Sequence, residues 1–295
     1  MWMTNADSIH SKLPELKLRL AVNESKVDII MINEAWAKNS RFQLTEAELQ
    51  IPGYNTLVNR EPNGRGIVVY LHESIGASET RFRTNFKEYL AVQINLTHSN
   101  SLLICTIYRS PNSSDENNEA LNDLLCEVHN HPASHKLVCG DFNFPNINWS
   151  SWSSTDNTSS KFLETVTPFY WTQHVTSATR QRGSNQPSLL DLLFTNEENM
   201  IESLTHHSPL GRSDHSVINF LFKCYAHRNN SSRLKYFFDR GNYSDLGKQL
   251  DKDWDALLDP HQGDIEAQWK IFLDIYNKAQ DDNIPHRLVT NKSKK

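Results

Sequence analysis

Apolar positions along the first 225 residues alternate between two periods. Leu13, Leu16 and Leu20 recur at helical spacing and predict a helix. Val27–Ile32 (V-D-I-I-M-I) and Gly66–Leu71 (G-I-V-V-Y-L) are short apolar runs of the kind that form buried strands. Leu90, Val92, Ile94 and Leu96 alternate along the chain, as in a half-buried strand. A turn at Thr97–Asn100 leads into Leu102–Tyr108, so these two strands are expected to pair as an antiparallel hairpin. Asn118–Val128 predicts a helix with Leu121, Leu124, Leu125 and Val128 on one face, and Lys161–Val166 predicts part of another. Lys136–Gly140, Leu189–Thr195 and Ser216–Phe222 read as strands. Strands and helices are mixed and at least one hairpin is present, which favours a layered α/β or α+β domain over a purely parallel sheet.

The pattern changes after residue 225. Ala226–Arg233 (A-H-R-N-N-S-S-R) is polar and reads as a linker. Asp245–Leu258 and Ile265–Gln280 then look helical, with Trp269, Phe272, Leu273 and Tyr276 forming a stripe read as packing surface. The expected organisation is a sheet domain over 1–225 and a helical unit over 226–295. Residues 1–225 carry 18 Lys and Arg against 24 Asp and Glu, and residues 226–295 carry 12 against 11. A net charge of −5 and a pI near 6.2 argue against a globally basic nucleic-acid binder. Affinity for nucleic acid would have to come from a local patch or from bound metal. No run of about 18 apolar residues exists to span a membrane, and polar residues interrupt Met1–Leu20 too often for a secretory signal. Cys105, Cys126, Cys139 and Cys224 form no C-x-x-C pair and read as reduced thiols of an intracellular protein. The sequons at Asn95, Asn148 and Asn230 carry no meaning without secretion.

Polar residues suited to catalysis recur at strand ends. Glu34 follows V-D-I-I-M-I-N, Tyr108 and Arg109 follow L-L-I-C-T-I, and Asp141 and Asn143 follow K-L-V-C-G. Asp191 lies within S-L-L-D-L-L-F, and Asp214 and His215 precede S-V-I-N-F-L-F. A carboxylate flanked by apolar strand residues is costly to bury unpaired, and repetition of the pattern points to a shared polar edge. Glu34, Asp141, Asp191 and Asp214 offer hard oxygen ligands suited to Mg²⁺ or Mn²⁺. His215 can serve as acid or base near neutral pH. Asn5, Tyr108 and Asn143 can bond phosphate oxygens without adding negative charge. Such a set suits metal-assisted phosphodiester hydrolysis. The chain has no G-x-S-x-G, no Walker-type glycine loop and no Cys with an evident base partner. Arg180 and Arg182, in the loop T-R-Q-R-G-S-N, are candidate substrate contacts. Trp36, Trp149 and Trp152 read as packing, His206 and His207 as a solvated loop, and Asp251–Asp255 as a solvated helix face.

Seven runs in order carry a resemblance: N-A-D-S (Asn5–Ser8), I-N-E-A-W (Ile32–Trp36), G-R-G-I-V-V-Y (Gly64–Tyr70), I-Y-R-S-P (Ile107–Pro111), G-D-F-N (Gly140–Asn143), S-L-L-D-L-L-F-T-N (Ser188–Asn196) and S-D-H (Ser213–His215). Over residues 5–222 the chain resembles the endonuclease/exonuclease/phosphatase superfamily, the DNase I-like phosphodiesterases. It looks most like the endonuclease domain of non-LTR retrotransposons. The resemblance implies a four-layer α/β/β/α sandwich of two mixed sheets with outer helices, followed by a C-terminal helical connector. It implies a Mg²⁺- or Mn²⁺-dependent nick in DNA that leaves a 3′-hydroxyl. Glu34 would be the main metal ligand, with Asp214, Asn5 and Asp7 at the same site. Asp7 falls where repair-type members carry a second carboxylate and many retrotransposon members do not. Tyr108 would contact the scissile phosphate or the leaving oxygen, and Arg109 a backbone phosphate. Asp141 would orient or activate water, Asn143 would bind a phosphate oxygen, and Asp191 would fix the tautomer of His215, the acid/base or transition-state stabiliser.

The tail (F-D-R-G-N-Y-S-D-L, D-W-D-A-L-L, E-A-Q-W-K-I-F) resembles the connector that leads to a reverse transcriptase in these elements, so the chain reads as a fragment or a stand-alone relic of a longer polyprotein. The implied partners are DNA and a reverse transcriptase in cis, with no membrane, a monomeric state, and an intracellular, nuclear location for action on DNA. Binding to DNA is expected to be weak without metal and sensitive to salt. Two departures from the family pattern stand out. Only Met1–Thr4 precede Asn5, so the first strand is expected to be weakly held. The glycine-rich start of the Gly66 strand reads R-G-I, for which little consequence is expected. Two other readings stay open: a superfamily enzyme acting on a phospholipid or inositol phosphate, and a catalytically weak remnant or binding module.

Overall fold

In the computed structural model of the chain, residues 1–23, 26–38, 45–60, 65–226 and 232–290 are described. The elements run β1 (Trp2–Asn5), α1 (Leu13–Val22), β2 (Ile29–Asn33), β3 (Tyr54–Asn59), β4 (Ile67–His72), β5 (Ala77–Thr80), β6 (Tyr89–Asn95) and β7 (Ser101–Tyr108). There follow α2 (Asp115–Asn130), β8 (His135–Asp141), β9 (Ile147–Asn148), β10 (Ser153–Ser154), α3 (Asn157–Val166), β11 (Thr172–Gln173), β12 (Asp191–Thr195), β13 (Ile201–His207) and β14 (Val217–Phe222). The last are β15 (Ser232–Tyr236), α4 (Tyr243–Leu250), α5 (Trp254–Leu258), α6 (Ile265–Asn283) and β16 (His286–Thr290). They form two compact units, Met1–Asn229 and Asn230–Lys295.

Two six-stranded sheets make up the first unit, ordered β13-β14-β1-β2-β4-β3 and β11-β12-β8-β7-β6-β5. Both are mixed: β1–β2 and β7–β8 pair in parallel among antiparallel neighbours. Alternation along each central strand sends one set of side chains between the sheets and the other outward. Met3, Met31 and Val69 from the first sheet meet Ile104, Cys139 and Leu193 from the second in a shared core. On the outer face of the first sheet, Trp2, Ile30 and Ile32 pack with Leu13 and Leu16 of α1. On the outer face of the second, Leu103, Cys105 and Val138 pack with Leu121, Leu124 and Leu125 of α2 and Phe162 of α3. The result is the four-layer α/β/β/α sandwich expected. Ser114 and Asp156 start α2 and α3 by accepting the N–H groups of Asn117 and Ser159, a standard N-cap.

The first strand is not weakly held, contrary to expectation. All four residues of β1 are buried, and the strand is paired on one edge with β14 and on the other with β2. The four cysteines are free thiols, and no helix among the described residues is long and apolar enough to cross a membrane.

In the second unit β15 and β16 pair antiparallel, from Ser232↔Thr290 to Tyr236↔His286, adding a two-stranded sheet to the expected helices. Of the expected linker, residues 227–231 lie outside the described residues, and Ser232 and Arg233 already belong to β15. The single helix expected over Asp245–Leu258 is two, because Asp253 turns its side chain onto the N–H of Ala256 and caps α5 afresh. The Asp251–Asp255 run is solvated, as expected, but it spans the break between the helices and the first turn of α5 and is not one helix face. Phe272 of α6 lies 5.4 Å from Trp269 and 6.0 Å from Tyr276, ring centre to ring centre.

Candidate active site

Strand register gathers the polar strand ends at one end of the sandwich. Parallel pairing of β1 and β2 sets Asn5 opposite Asn33, with Glu34 next in the chain. Since β14 runs antiparallel to β1, Asp214 and His215 enter from the same end. In the second sheet the parallel β7 and β8 place Tyr108 opposite Asp141, and the antiparallel β12 starts there with Asp191 opposite Asp141. The Asn33 amide donates to the Ile107 carbonyl at 2.5 Å and ties the two sheets together at this end. Asp7, Glu34 and Asn143 all adopt left-handed backbone (φ 42°, 49° and 51°). That conformation is costly for non-glycine residues and is concentrated at functional sites.

The centre is a chain of short polar contacts. Asn5 Nδ2 donates to Asp141 Oδ2 at 2.8 Å, and the Asn143 N–H donates to Asp141 Oδ1 at 3.2 Å. His215 Nδ1 lies 2.7 Å from Asp191 Oδ2. Its Nε2 lies 3.8 Å from Asp141 Oδ2 and 3.8 Å from Asp214 Oδ1. Asp141, Asp191 and His215 are buried, and one ligand atom of each falls within 4.8 Å of the others. Two hydroxyls brace this centre. Ser213 Oγ donates to the Asn5 carbonyl at 2.6 Å and accepts the His215 N–H at 3.2 Å. Thr179 Oγ1 accepts the Asp191 N–H at 3.0 Å.

Burial, then the neighbouring Asp191 carboxylate, pushes Asp141 up to about 7. For His215 burial opposes the charge, but Asp191, with Asp141 and Asp214 behind it, raises the imidazole to about 9. A base near 7 beside an imidazolium is a matched acid–base pair at neutral pH. The shift also links stability to pH. A folded pKa of about 9, above the ordinary 6.5, means that the folded state holds its proton more tightly. The stabilisation is complete below about 6.5 and is lost as pH rises through about 9, on the order of 3 kcal/mol in all. Urea unfolding of metal-free protein in EDTA should show that loss between pH 6.5 and 9, and His215→Gln should flatten it. An equal slope in both proteins would contradict the assignment.

Around this centre lies a polar cleft of about 430 Å³, lined by Asn5, Asp7, Glu34, Asp141, Asn143, Asp214 and His215 together with Arg65, Arg180, Arg182 and Arg212. The acidic chain thus places a local set of arginines at its cleft. Arg180 is committed to Asp214, Nε to Oδ2 at 3.0 Å, while Arg182 lines the cleft. Two expected substrate contacts are not brought into it. Tyr108 is buried, and its hydroxyl bonds Glu34; burial, then the Glu34 carboxylate, raises its pKa far above the ordinary value. Tyr108 therefore positions Glu34. Arg109 is also buried. Its Nε donates to Asn118 Oδ1 at 2.7 Å and its Nη1 to the Asn143 carbonyl at 2.8 Å, and its guanidinium covers the Phe144 ring. It holds the Asn143 turn from behind. Trp36 is buried, and Trp149 and Trp152 pack against the outer core. His206 and His207 lie exposed on the edge strand β13 and not in a loop.

Arg65 was not anticipated, and it corrects the expectation that R-G-I matters little. Its Nη1 lies 2.8 Å from Glu34 Oε2, and its Nη2 bonds Asp7. Asp7 and Glu34 therefore already converge on one cation, and with Asn5 and Asp214 they offer hard oxygen donors that fit Mg²⁺ or Mn²⁺. The buried Asp141–Asp191–His215 group is engaged by its own hydrogen bonds and suits proton handling better than ligation.

The family described as "Endonuclease-reverse transcriptase" matches residues 102–219. No curated protein matches the sequence. Among solved structures, the endonuclease domain of TRAS1, a telomere-specific non-LTR retrotransposon, superposes with a TM-score of 0.57 at 15% identity, covering 76% of this chain and 98% of that one. A 3′-5′ exonuclease from Neisseria meningitidis gives 0.56 at 13% identity, over 75% of this chain and 99% of that one. An AP endonuclease from Archaeoglobus fulgidus gives 0.55 at 13% identity, over 76% and 99%.

Proposed function

We propose that the chain is a DNase I-like endonuclease/exonuclease/phosphatase superfamily protein, a reading supported by its fold and by the match over residues 102–219, and that it nicks DNA in a divalent-cation-dependent reaction. The observation that carries this reading is the His215 imidazole, fixed by Asp191 at 2.7 Å with its other nitrogen facing Asp141 and the arginine-lined cleft. Asn143 and the protonated His215 Nε2 donate to non-bridging phosphate oxygens, and Arg182 and Arg212 hold neighbouring phosphates. Asp141 takes a proton from water as its oxygen bonds to phosphorus. The P–O3′ bond breaks, and the departing 3′ oxygen takes a proton from solvent water, leaving a 3′-hydroxyl and a 5′-phosphate. Mg²⁺ or Mn²⁺, held by Glu34 with Asn5, Asp7 and Asp214 around it, would neutralise phosphate charge. In a full-length element the 3′-hydroxyl would prime a reverse transcriptase joined through the C-terminal unit.

Supercoiled plasmid incubated with the protein and Mg²⁺ or Mn²⁺ should become open circle with ends that a DNA polymerase extends, and EDTA should stop the reaction. Excess inositol phosphate or phospholipid should compete poorly. Hydrolysis of those esters with no nicking would move the activity to small phosphates, and folded protein inactive on both would overturn the enzymatic reading.

A further inference from the structure

Arg65 has no part in the chemistry above, yet it is among the most constrained side chains of the cleft. Its backbone carbonyl accepts the Trp36 N–H at 2.9 Å, and its own Nε returns a hydrogen bond to the Trp36 carbonyl at 3.0 Å. The next residue, Gly66, has φ +65°, and a Cβ there would lie 2.4 Å from the Trp36 ring. The strand start is thus clamped against Trp36, and the guanidinium is aimed by that clamp. Its two remaining N–H edges reach different carboxylates, Glu34 and Asp7. The Arg65 and Glu34 side chains are only 18% and 12% exposed, so water screens their attraction weakly. A divalent cation on Glu34 would sit beside this fixed positive charge or displace it, and either route weakens its binding.

We propose that Arg65 is a built-in counter-ion of the Asp7–Glu34 carboxylate pair, so that divalent metal enters by exchange with its guanidinium. The inference rests on the reading of Glu34 as a metal residue. The planar fork is what joins both carboxylates, and a lysine at this position offers only a point charge. The exchange leaves the metal-free carboxylate pair half-neutralised by one guanidinium and sets metal affinity lower than the oxygen donors alone would give.

Mn²⁺ binding, read by the EPR signal of the free ion, tests this without reference to activity. Arg65→Gln should bind Mn²⁺ roughly tenfold more tightly than wild type, since a like charge is removed at contact distance. Arg65→Lys should fall between the two, which keeps the test open should the glutamine variant fold poorly. Glu34→Gln should abolish binding in either background. Metal-free Arg65→Gln should also melt lower than wild type and gain more from added Mn²⁺. Equal or weaker binding in both Arg65 variants, with Glu34→Gln still abolishing it, would overturn the exchange and leave the metal reading intact. No Mn²⁺ bound by wild type or Arg65→Gln would overturn both.

Discussion

His215→Ala is expected to lower metal-dependent plasmid nicking by about 10²–10⁴-fold, the range for losing a positioned acid–base group. The imidazole is 4% exposed, and its two nitrogens face opposite ways, one to Asp191 and one to Asp141 and the cleft. Alanine removes the proposed donor to phosphate and the charge that offsets three nearby carboxylates. It also strands Asp191, whose Oδ1 already lacks a hydrogen-bond partner and whose Oδ2 would lose its own. Leaving a buried carboxylate unpaired costs about 3–5 kcal/mol, so part of any activity loss could come from unfolding. His215→Gln separates the two effects. Its amide can still donate to Asp191 but carries no titrating proton, so it should restore most of the stability and none of the rate. Folded His215→Ala that nicks within tenfold of wild type would place the chemistry elsewhere.

What the sequence revealed and what it hid follow one physical division. Central strands are covered on both faces, and their apolar runs announce them: Val27–Ile32, Gly66–Leu71, Leu102–Tyr108 and Lys136–Gly140 all fall on β2, β4, β7 and β8. Within the two six-stranded sheets, the strands that went unannounced, β3, β5, β11 and β13, are the edges. Their residues are exposed or half-buried, so they lack the apolar period that marks a strand. The site divides in the same way. Asn5, Glu34, Asp141, Asn143, Asp191, Asp214 and His215 meet at one end of the sandwich because strand ends carry them, and strand ends are visible in a sequence. For that same reason the sequence points Tyr108 and Arg109 at substrate. Residue type does not tell which way a side chain turns, and the structure turns both inward, Tyr108 under Glu34 and Arg109 under Asn143. Arg65 was hidden because its partners Asp7 and Glu34 are far away in sequence. Its one signal was an arginine between glycines at a strand start. Ser213 had a signal too, as the first letter of S-D-H, but its role needs the Asn5 carbonyl, 208 positions away.

Gly140→Ala is expected to cost about 3–5 kcal/mol, the sum of backbone strain and overpacking. Gly140 is the first residue of G-D-F-N, and two observations make it irreplaceable. Its φ is +133°, a conformation that side-chain-bearing residues rarely adopt. A Cβ there would stand 1.9 Å from the Ile107 carbonyl oxygen and 2.9 Å from the Ile107 nitrogen, all backbone atoms that no rotamer change can move aside. Ile107 is its partner in the parallel β7–β8 pair, and the same carbonyl accepts the Asn33 bond that joins the sheets. Relief of the clash must therefore part β7 from β8 and break that bond at the place where Tyr108 faces Asp141. Activity should fall with stability, because the Asp141 carbonyl, which accepts the Arg109 N–H at 2.8 Å, moves with the strand. Gly183→Ala is the control. Its φ is +56° in the arginine loop and nothing lies within 4 Å of the added carbon, so only the modest strain of about 1–2 kcal/mol applies. Urea midpoints of the two variants against wild type make the comparison. A Gly140→Ala protein within 1 kcal/mol of wild type, or no worse than Gly183→Ala, would mean that the β7–β8 junction yields where the geometry says it is closed.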